Sequence, residues 1–123
     1  MILEPTAVVL YVDNLAISTQ FYQDLLGIKA QELSPSFNQF TLSNGLDLGL
    51  KVKHTVTPAA ENNGGGELAF TLDNNKTVDA LYSEWQQNGV TIAQPPEEMP
   101  YGYNFLALDP NGYRLRFVSL GKS

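Results

Sequence analysis

An internal repeat constrains this chain more than any other feature of its sequence. The pairs Asp13-Asn14 and Asp73-Asn74 each close an apolar run and open a helical pattern. In both copies a tyrosine follows nine residues after the aspartate, at Tyr22 and at Tyr82, so the two copies are offset by sixty residues. A sequence that repeats at a fixed offset predicts a structural module that occurs twice.

The repeat continues to the end of each half. Glycines at positions 27 and 89 are predicted to stop the two helices. Asn44-Gly45 and Asn111-Gly112 lie between alternating apolar residues, which is a strong hairpin signal because the favoured turn needs positive φ at both residues. The offset has grown from sixty to sixty-seven residues at this point, which indicates insertions in the loops. Each half therefore reads as strand, helix and three strands.

This pattern predicts an α+β fold built from two βαβββ modules in a single domain. The length of 123 residues fits one domain. Module one is expected to span about residues 1–57 and module two about residues 67–123. A segment rich in Pro, Ala, Asn and Gly, residues 58–66, reads as the linker between them.

Charge and composition exclude several classes of function. The net charge of −6 argues against a nucleic-acid partner. The absence of cysteine excludes disulfides, thiolate metal sites and cysteine nucleophiles. No apolar run approaches the roughly 20 residues that span a bilayer, and the N-terminus carries no basic region, so no membrane association and a cytoplasmic location are expected.

Both predicted helices carry an apolar stripe at spacings of three and four residues, which indicates that each packs on a sheet. The stripes consist of Ile17, Phe21 and Leu25 in the first helix and Val78, Leu81, Tyr82 and Trp85 in the second. Trp85 is accordingly interpreted as a core residue rather than a ligand contact.

Strands alternate their side chains, so each sheet has one face under the helix and one free face. The residues predicted to point to the free face are Ala7, Val9, Tyr11, Phe37, Gln39, Thr41, Asp47, Gly49 and Lys51 in module one and Glu67, Ala69, Thr71, Tyr103, Phe105, Ala107, Arg114 and Arg116 in module two. Rings mixed with a few charges are typical of a small-molecule site. A dimer interface and a solvated sheet surface remain open as alternatives.

Three groups of residues resemble the sequence pattern of a known protein family. They are the run from Val8 to Leu15, the Phe21-Tyr22 pair with Leu25-Leu26-Gly27, and the late segment from Asp109 to Tyr113 with Leu115. Together they resemble the glyoxalase, bleomycin-resistance and extradiol-dioxygenase superfamily, also called vicinal oxygen chelate proteins, over nearly the whole chain. The resemblance implies paired βαβββ modules that form a curled mixed sheet around a cavity, with the helices on the convex side, in a homodimer.

The resemblance also bears on metal binding. Metalloenzymes of this superfamily hold a divalent ion through four inward His or Glu residues on the first, fourth, fifth and eighth strands. The matching positions here are Ala7, Gly49, Glu67 and Arg116, of which only Glu67 offers a donor. An open catalytic site needs about three protein donors, and a guanidinium repels a cation. We therefore expect no metal and no cofactor, as in bleomycin-resistance proteins that sequester a drug.

The candidate ligand-binding residues are Phe37, Gln39, Glu67, Tyr101, Tyr103, Phe105 and Arg116. Glu67 and Arg116 are predicted to meet, either as a structural salt bridge or to orient a ligand: Glu67 a cationic amine, or Arg116 a carboxylate or phosphate. The aromatic residues among the candidates would stack on a planar or cationic molecule, although core or interface roles stay open. Glu97 and Glu98, predicted to lie in a Pro-rich loop, would add negative potential at the rim.

Three functions are consistent with these features. The first is metal-independent binding or sequestration of a small aromatic or cationic molecule, with antibiotic resistance as its role. The second is a glyoxalase-like lyase or isomerase that uses Glu67 as a general base, or a metalloenzyme whose ligands lie elsewhere. The third is a protein-interaction domain. His54, the only histidine, has no Asp-His-Ser order around it and is expected to be a surface residue.

Overall fold

The computed structural model describes residues 2–60, 66–100 and 102–120. It divides the chain into two compact units, residues 1–63 and 64–123, which we call module one and module two. Among the described residues, each module contains one α-helix and one four-stranded mixed sheet. The α+β class and the duplicated βαβββ order are thereby confirmed.

Module one is a helix on a sheet whose strand order is β1-β4-β3-β2. Strand β1 runs parallel to β4, and the other pairs are antiparallel. Its elements are β1 (Ala7–Val12), α1 (Leu15–Leu26), β2 (Gln31–Ser34), β3 (Phe37–Thr41) and β4 (Asp47–Val52), followed by a short 3₁₀ helix (Lys53–Thr55).

Module two repeats this arrangement with the strand order β5-β8-β7-β6. Its elements are β5 (Glu67–Leu72), α2 (Asn75–Gln87), β6 (Thr91–Met99), β7 (Gly102–Leu108) and β8 (Arg114–Ser119). The registers match those of module one: Ala7 pairs with Asp47 as Glu67 pairs with Arg114. The repeat in the sequence is therefore a repeat in hydrogen-bonded register.

The asparagines of the repeated Asp-Asn pairs start the two helices. The Asn14 side chain accepts a hydrogen bond from the backbone N–H of Ile17 at 3.0 Å, and Asn74 accepts one from Thr77 at 2.9 Å. Each satisfies an N–H that a helix start leaves unpaired. Gly27 ends α1 in the left-handed region at φ 70°, as predicted.

A cluster of aromatic rings forms the core of module two. The rings of Phe105 and Phe117 stack with centroids 5.0 Å apart, and Trp85 meets Phe117 edge-on at 4.9 Å. Trp85 is buried, which confirms its interpretation as a core residue. Because aromatic pairs contribute beyond the area that they bury, this cluster anchors α2 to its sheet.

The predicted apolar stripe of α1 is wrong in phase. Ile17 is 55% exposed, whereas the buried positions of the helix are Ser18 and Tyr22. A serine counts as polar in a hydropathy pattern, yet its small side chain fits where a helix lies close to a sheet. The sheet-facing side of α1 therefore lies about one residue, or roughly 100°, from the most apolar stripe.

The two Asn-Gly pairs lie in the predicted hairpin turns, but with a different backbone. Gly45 and Gly112 have positive φ, whereas no non-glycine residue of the described ranges does, so the expectation of positive φ at both turn residues is wrong. The second turn is held by the Asp109 carboxylate, which accepts the backbone N–H groups of Asn111 and Tyr113 at 2.8 and 2.9 Å. Within the described residues, neither helix is long and apolar enough to cross a membrane.

Candidate functional site

Glu67 and Arg116 form a two-point ion pair on the free face of module two. The Arg116 Nε lies 2.6 Å from Oε2 of Glu67, and its Nη2 lies 3.0 Å from Oε1. The pair forms because β5 and β8 are parallel neighbours in which Glu67 lies opposite Arg114, so Arg116 reaches it diagonally. The Arg116 side chain is only 11% exposed and that of Glu67 is 32% exposed. The predicted meeting of these two residues is confirmed.

Two amide side chains hold the guanidinium from the other side. The Nη1 of Arg116 donates to Oδ1 of Asn104 at 2.7 Å and to Oε1 of Gln94 at 3.3 Å. Asn104 is fully buried, and its own Nδ2 donates to the carbonyl of Gly102 at 3.0 Å. The plane of the guanidinium is thus fixed by groups on β5, β6 and β7, so Glu67 is held in one orientation.

Asn104 and Gln94 were not among the predicted site residues. One signal could have revealed Asn104, because it is the polar residue inside the otherwise apolar run of β7. A polar side chain at a buried strand position needs a partner of its own. Arg116 on the adjacent strand is that partner.

The electrostatics of the pair keep Glu67 ionised. The hydrogen bond from Arg116 lowers the pKa of the Glu67 carboxyl, and the charges of Arg116 and Arg114 lower it further, while partial burial opposes them. A carboxylate with a lowered pKa is a weak proton acceptor at neutral pH. The pair can therefore present a fixed negative group more readily than it can abstract a proton.

Stability should report this shift in pKa. Because the pKa is lower in the folded chain than the ordinary value of 4.5, the ion pair stabilises the fold above about pH 4.5, and this contribution disappears as pH falls through the folded pKa. At pH 7, Glu67→Gln is expected to lower the free energy of unfolding by about 0.5–1 kcal/mol, a small value because the group is partly exposed.

Urea denaturation of both chains from pH 7 to pH 3 measures this difference. It should shrink toward zero at the acidic end. The matched control is Glu84→Gln, which removes an exposed carboxylate on α2 outside the ion pair. A gap for Glu67→Gln that stays constant over this range would contradict the assigned ion pair.

The predicted free face of β7 is wrong, because Tyr103, Phe105 and Ala107 lie on the helix side. Phe105 is fully buried, and its ring centroid lies 5.6 Å from that of Tyr82 on α2. The Tyr103 hydroxyl donates to Oδ1 of Asp79, also on α2, at 2.6 Å. The prediction matched Phe37 to Tyr103, whereas the register matches Phe37 to Asn104. A slip of one residue exchanges the two faces of a strand.

Tyr103 and the other predicted residues near this sheet have different outcomes. The hydrogen bond to Asp79 raises the pKa of the Tyr103 phenol, with burial and the charges of Asp79 and Glu98 acting in the same direction. Glu97 and Glu98 are exposed, but they lie in strand β6 and not in a loop. Tyr101 lies outside the described residues.

In module one, the ring of Phe37 lies over Gly49 on the free face. A Cβ at position 49 would lie 2.6 Å from Cε1 of that ring, so the ring occupies the space that a side chain would fill. The Lys51 ammonium is 5.8 Å from the ring centroid and donates to Oγ of Ser36 at 3.1 Å. Gln39, half-buried, pairs with Gly49 across the two strands. Phe37 and Gln39 thus lie on the predicted face.

The four positions that correspond to metal ligands do not fit a divalent ion. Ala7 and Gly49 carry no donor atom, and the Phe37 ring covers Gly49. Both oxygens of Glu67 accept hydrogen bonds from Arg116. Within residues 2–60, 66–100 and 102–120, no three His, Cys, Asp or Glu side chains are grouped as a metal site would require. His54 is exposed in the 3₁₀ helix of module one.

A duplicated βαβββ fold whose sheets each keep one helix-free face defines a class of small α+β proteins. The model of the Glyoxalase/Bleomycin resistance protein/Dioxygenase superfamily matches residues 5–117, and the chain belongs to this superfamily. The family resemblance of the sequence is thereby confirmed. No significant match was found among curated proteins.

Solved structures share the fold. A protein of Agrobacterium tumefaciens, determined by solution NMR, is 45% identical with a TM-score of 0.88, and the match covers 98% of this chain and 99% of that one. A glyoxalase-related enzyme from Fulvimarina pelagi is 18% identical with a TM-score of 0.82, covering 96% and 88% of the two chains. A glyoxalase/bleomycin resistance protein/dioxygenase family enzyme from Burkholderia phytofirmans is 22% identical with a TM-score of 0.79, covering 94% and 98%.

Proposed function

We propose that this chain binds a small cationic molecule on the free face of module two without the help of a metal, and that it sequesters this molecule. What supports this function is the Glu67–Arg116 pair. Each Glu67 oxygen accepts one N–H from Arg116 and has capacity for a second donor. An amine or amidine on the ligand would supply that donor and the opposite charge.

The support around the pair favours binding over catalysis. Asn104 and Gln94 hold Arg116 in place, so the carboxylate is already oriented before a ligand arrives. The lowered pKa of Glu67 makes it a poor general base at neutral pH. Phe37 and Gln39 lie on the free face of module one, and their predicted role in ligand binding stays a prediction. Tyr103 and Phe105 are not proposed as ligand contacts because they pack against α2.

The biological role that follows is tolerance of a toxic compound, including an antibiotic, by capture in the cytoplasm by a homodimer. Bleomycin, which carries planar rings and amines, is the first drug to titrate. A glyoxalase-like lyase or isomerase is the competing function. Turnover of a glutathione adduct, or near-stoichiometric nickel, zinc, iron or manganese in purified protein, would favour that enzyme over the binding protein.

A matched pair of ligands tests the site. Benzamidine and benzamide have nearly the same shape, but only benzamidine is a cation. Calorimetric titration of the full chain should give an affinity for benzamidine that is about tenfold higher or more, because a hydrogen bond to a charged group contributes about 1.5–3 kcal/mol.

Glu67→Gln should remove most of this preference while the fold is kept. The control is again Glu84→Gln on α2, which should bind benzamidine as the unchanged chain does. Equal affinities of the unchanged chain for the two ligands would count against the proposal. So would a preference for benzamidine that survives in Glu67→Gln.

A further inference from the structure

A second candidate site lies in module one, on the helix side of its sheet. An open groove with a volume of about 440 Å³ runs between α1 and strands β2 and β3. Its lining includes the apolar residues Leu15, Ala16 and Pro35 and the polar residue Asn38. This volume lies within the range of about 300–1,000 Å³ that is common for small-molecule pockets.

The Asn38 amide has one satisfied end and one unsatisfied end. Its Nδ2 donates to Oγ1 of Thr19 on α1 at 2.9 Å, which fixes the side chain on the helix side of β3. Its Oδ1 is buried and has no hydrogen-bond partner among the residues that the structure describes. A buried acceptor without a donor costs stability, and a donor group on a molecule bound in the groove would relieve this cost.

The repeat shows that the two modules differ at the position of Asn38. Asn38 pairs with Leu50 as Phe105 pairs with Phe117, so Asn38 and Phe105 are equivalent positions. In module two the Phe105 ring is fully buried beneath α2, within 5.6 Å of Tyr82 between centroids. Module one carries a small amide where module two carries a ring.

We propose that this groove binds a small neutral molecule that has an aromatic-sized apolar body and one hydroxyl or N–H group, and that this group donates to Oδ1 of Asn38. Glu32 belongs to the groove lining, and its negative charge would repel a ligand with a negative charge. A phenol therefore fits the groove better than a benzoate. The site lies on the opposite side of the module one sheet from Phe37 and Gln39 and does not depend on the function proposed above.

Phenol and anisole test the proposal, since they share one ring but only phenol has a hydrogen to donate. Each is titrated into the ¹⁵N-labelled full chain and followed by NMR through the Asn38 side-chain amide and the backbone amides of Thr19 and Ala30. We expect phenol to shift these signals and to bind about fivefold more tightly than anisole, the factor that one neutral hydrogen bond typically provides. Benzoate is expected to bind more weakly than phenol.

Two variants separate the acceptor from the space around it. Asn38→Leu removes the acceptor and should make phenol and anisole bind equally. Ala16→Leu keeps Asn38, fills part of the groove from an exposed position of α1, and should weaken both ligands. Gln86→Leu, the same kind of change at an exposed position of α2, should leave the preference unchanged.

Three outcomes would overturn the proposal. The first is equal binding of phenol and anisole by the unchanged chain. The second is a set of shifts confined to residues outside the groove. The third is no shift at any residue up to tens of millimolar phenol. Because Asn38→Leu exchanges an unsatisfied amide for an apolar side chain, it should fold, and a well-dispersed spectrum of the variant verifies this before binding is compared.

Discussion

Phe105→Ala is expected to lower the free energy of unfolding by about 3–5 kcal/mol, the range typical of a large buried ring replaced by a methyl group. The ring is fully buried and packs against Tyr82, Trp85 and Phe117. Its removal leaves a cavity at the centre of the aromatic cluster that joins α2 to its sheet. Urea denaturation followed by circular dichroism measures the loss, and thermal denaturation serves if the variant is too unstable for urea.

Phe37→Ala is the matched control, because Phe37 is a half-buried phenylalanine on a free face. Its loss should cost about 1–2 kcal/mol, in proportion to the smaller area that it buries. If Phe105→Ala is no less stable than Phe37→Ala but loses benzamidine binding, this would indicate that Phe105 lies on the free face. It would also contradict the register of β7.

The duplicated fold was predictable because the features that carry it are local. An N-cap asparagine, a glycine after a helix and an Asn-Gly turn each act within a few residues, so a single sequence displays them. The sixty-residue offset then aligned β1 with β5 and α1 with α2. The structure preserves this alignment down to the pairing of Ala7 with Asp47 and of Glu67 with Arg114.

The face of β7 was not predictable in the same way. Strand β7 is apolar at nearly every position, so alternation does not decide which side chains meet the helix. The face of each side chain had to be taken from the alignment of the two repeats, and the corresponding loops of the two modules differ in length. With an offset of sixty-six residues Phe105 lies on the free face, whereas with the observed sixty-seven it lies in the core and Asn104 faces Arg116. A difference of one residue in loop length thus decides whether Phe105 or Asn104 lies on the free face.

In the candidate site, too, one part was predictable from the sequence and another part was not. The Glu67–Arg116 pair was predictable, since two long, oppositely charged side chains on neighbouring strands attract each other and are within reach. The amides behind Arg116 were not, because Gln94 belongs to an edge strand whose pairing with β7 contains irregularities in register. A contact that depends on such irregularities cannot be read from periodicity, which assumes that they are absent.

Gly102→Ala is expected to destabilise the chain by about 3 kcal/mol or more, through backbone geometry and not through the removal of a side chain. Gly102 begins β7 at φ 136°, a region that residues with a Cβ rarely adopt. An added methyl group would clash with the carbonyl oxygen of Ser119 and lie 2.9 Å from Cγ2 of Val118, both on β8. The carbonyl is part of the backbone and cannot rotate away, so the two strands must separate.

Two other glycines separate the cost of the backbone conformation from the cost of the steric clash. Gly112 has positive φ, at 85°, but open space around it, so Gly112→Ala should show the cost of conformation alone, about 1–2 kcal/mol. Gly66 has open space and no positive φ, so Gly66→Ala should change stability by less than about 0.5 kcal/mol. Because the Gly102 carbonyl accepts the Nδ2 of Asn104, strand separation should also disturb Arg116 and weaken benzamidine binding. If Gly102→Ala costs no more than Gly112→Ala, the close contact between β7 and β8 at this position is wrong.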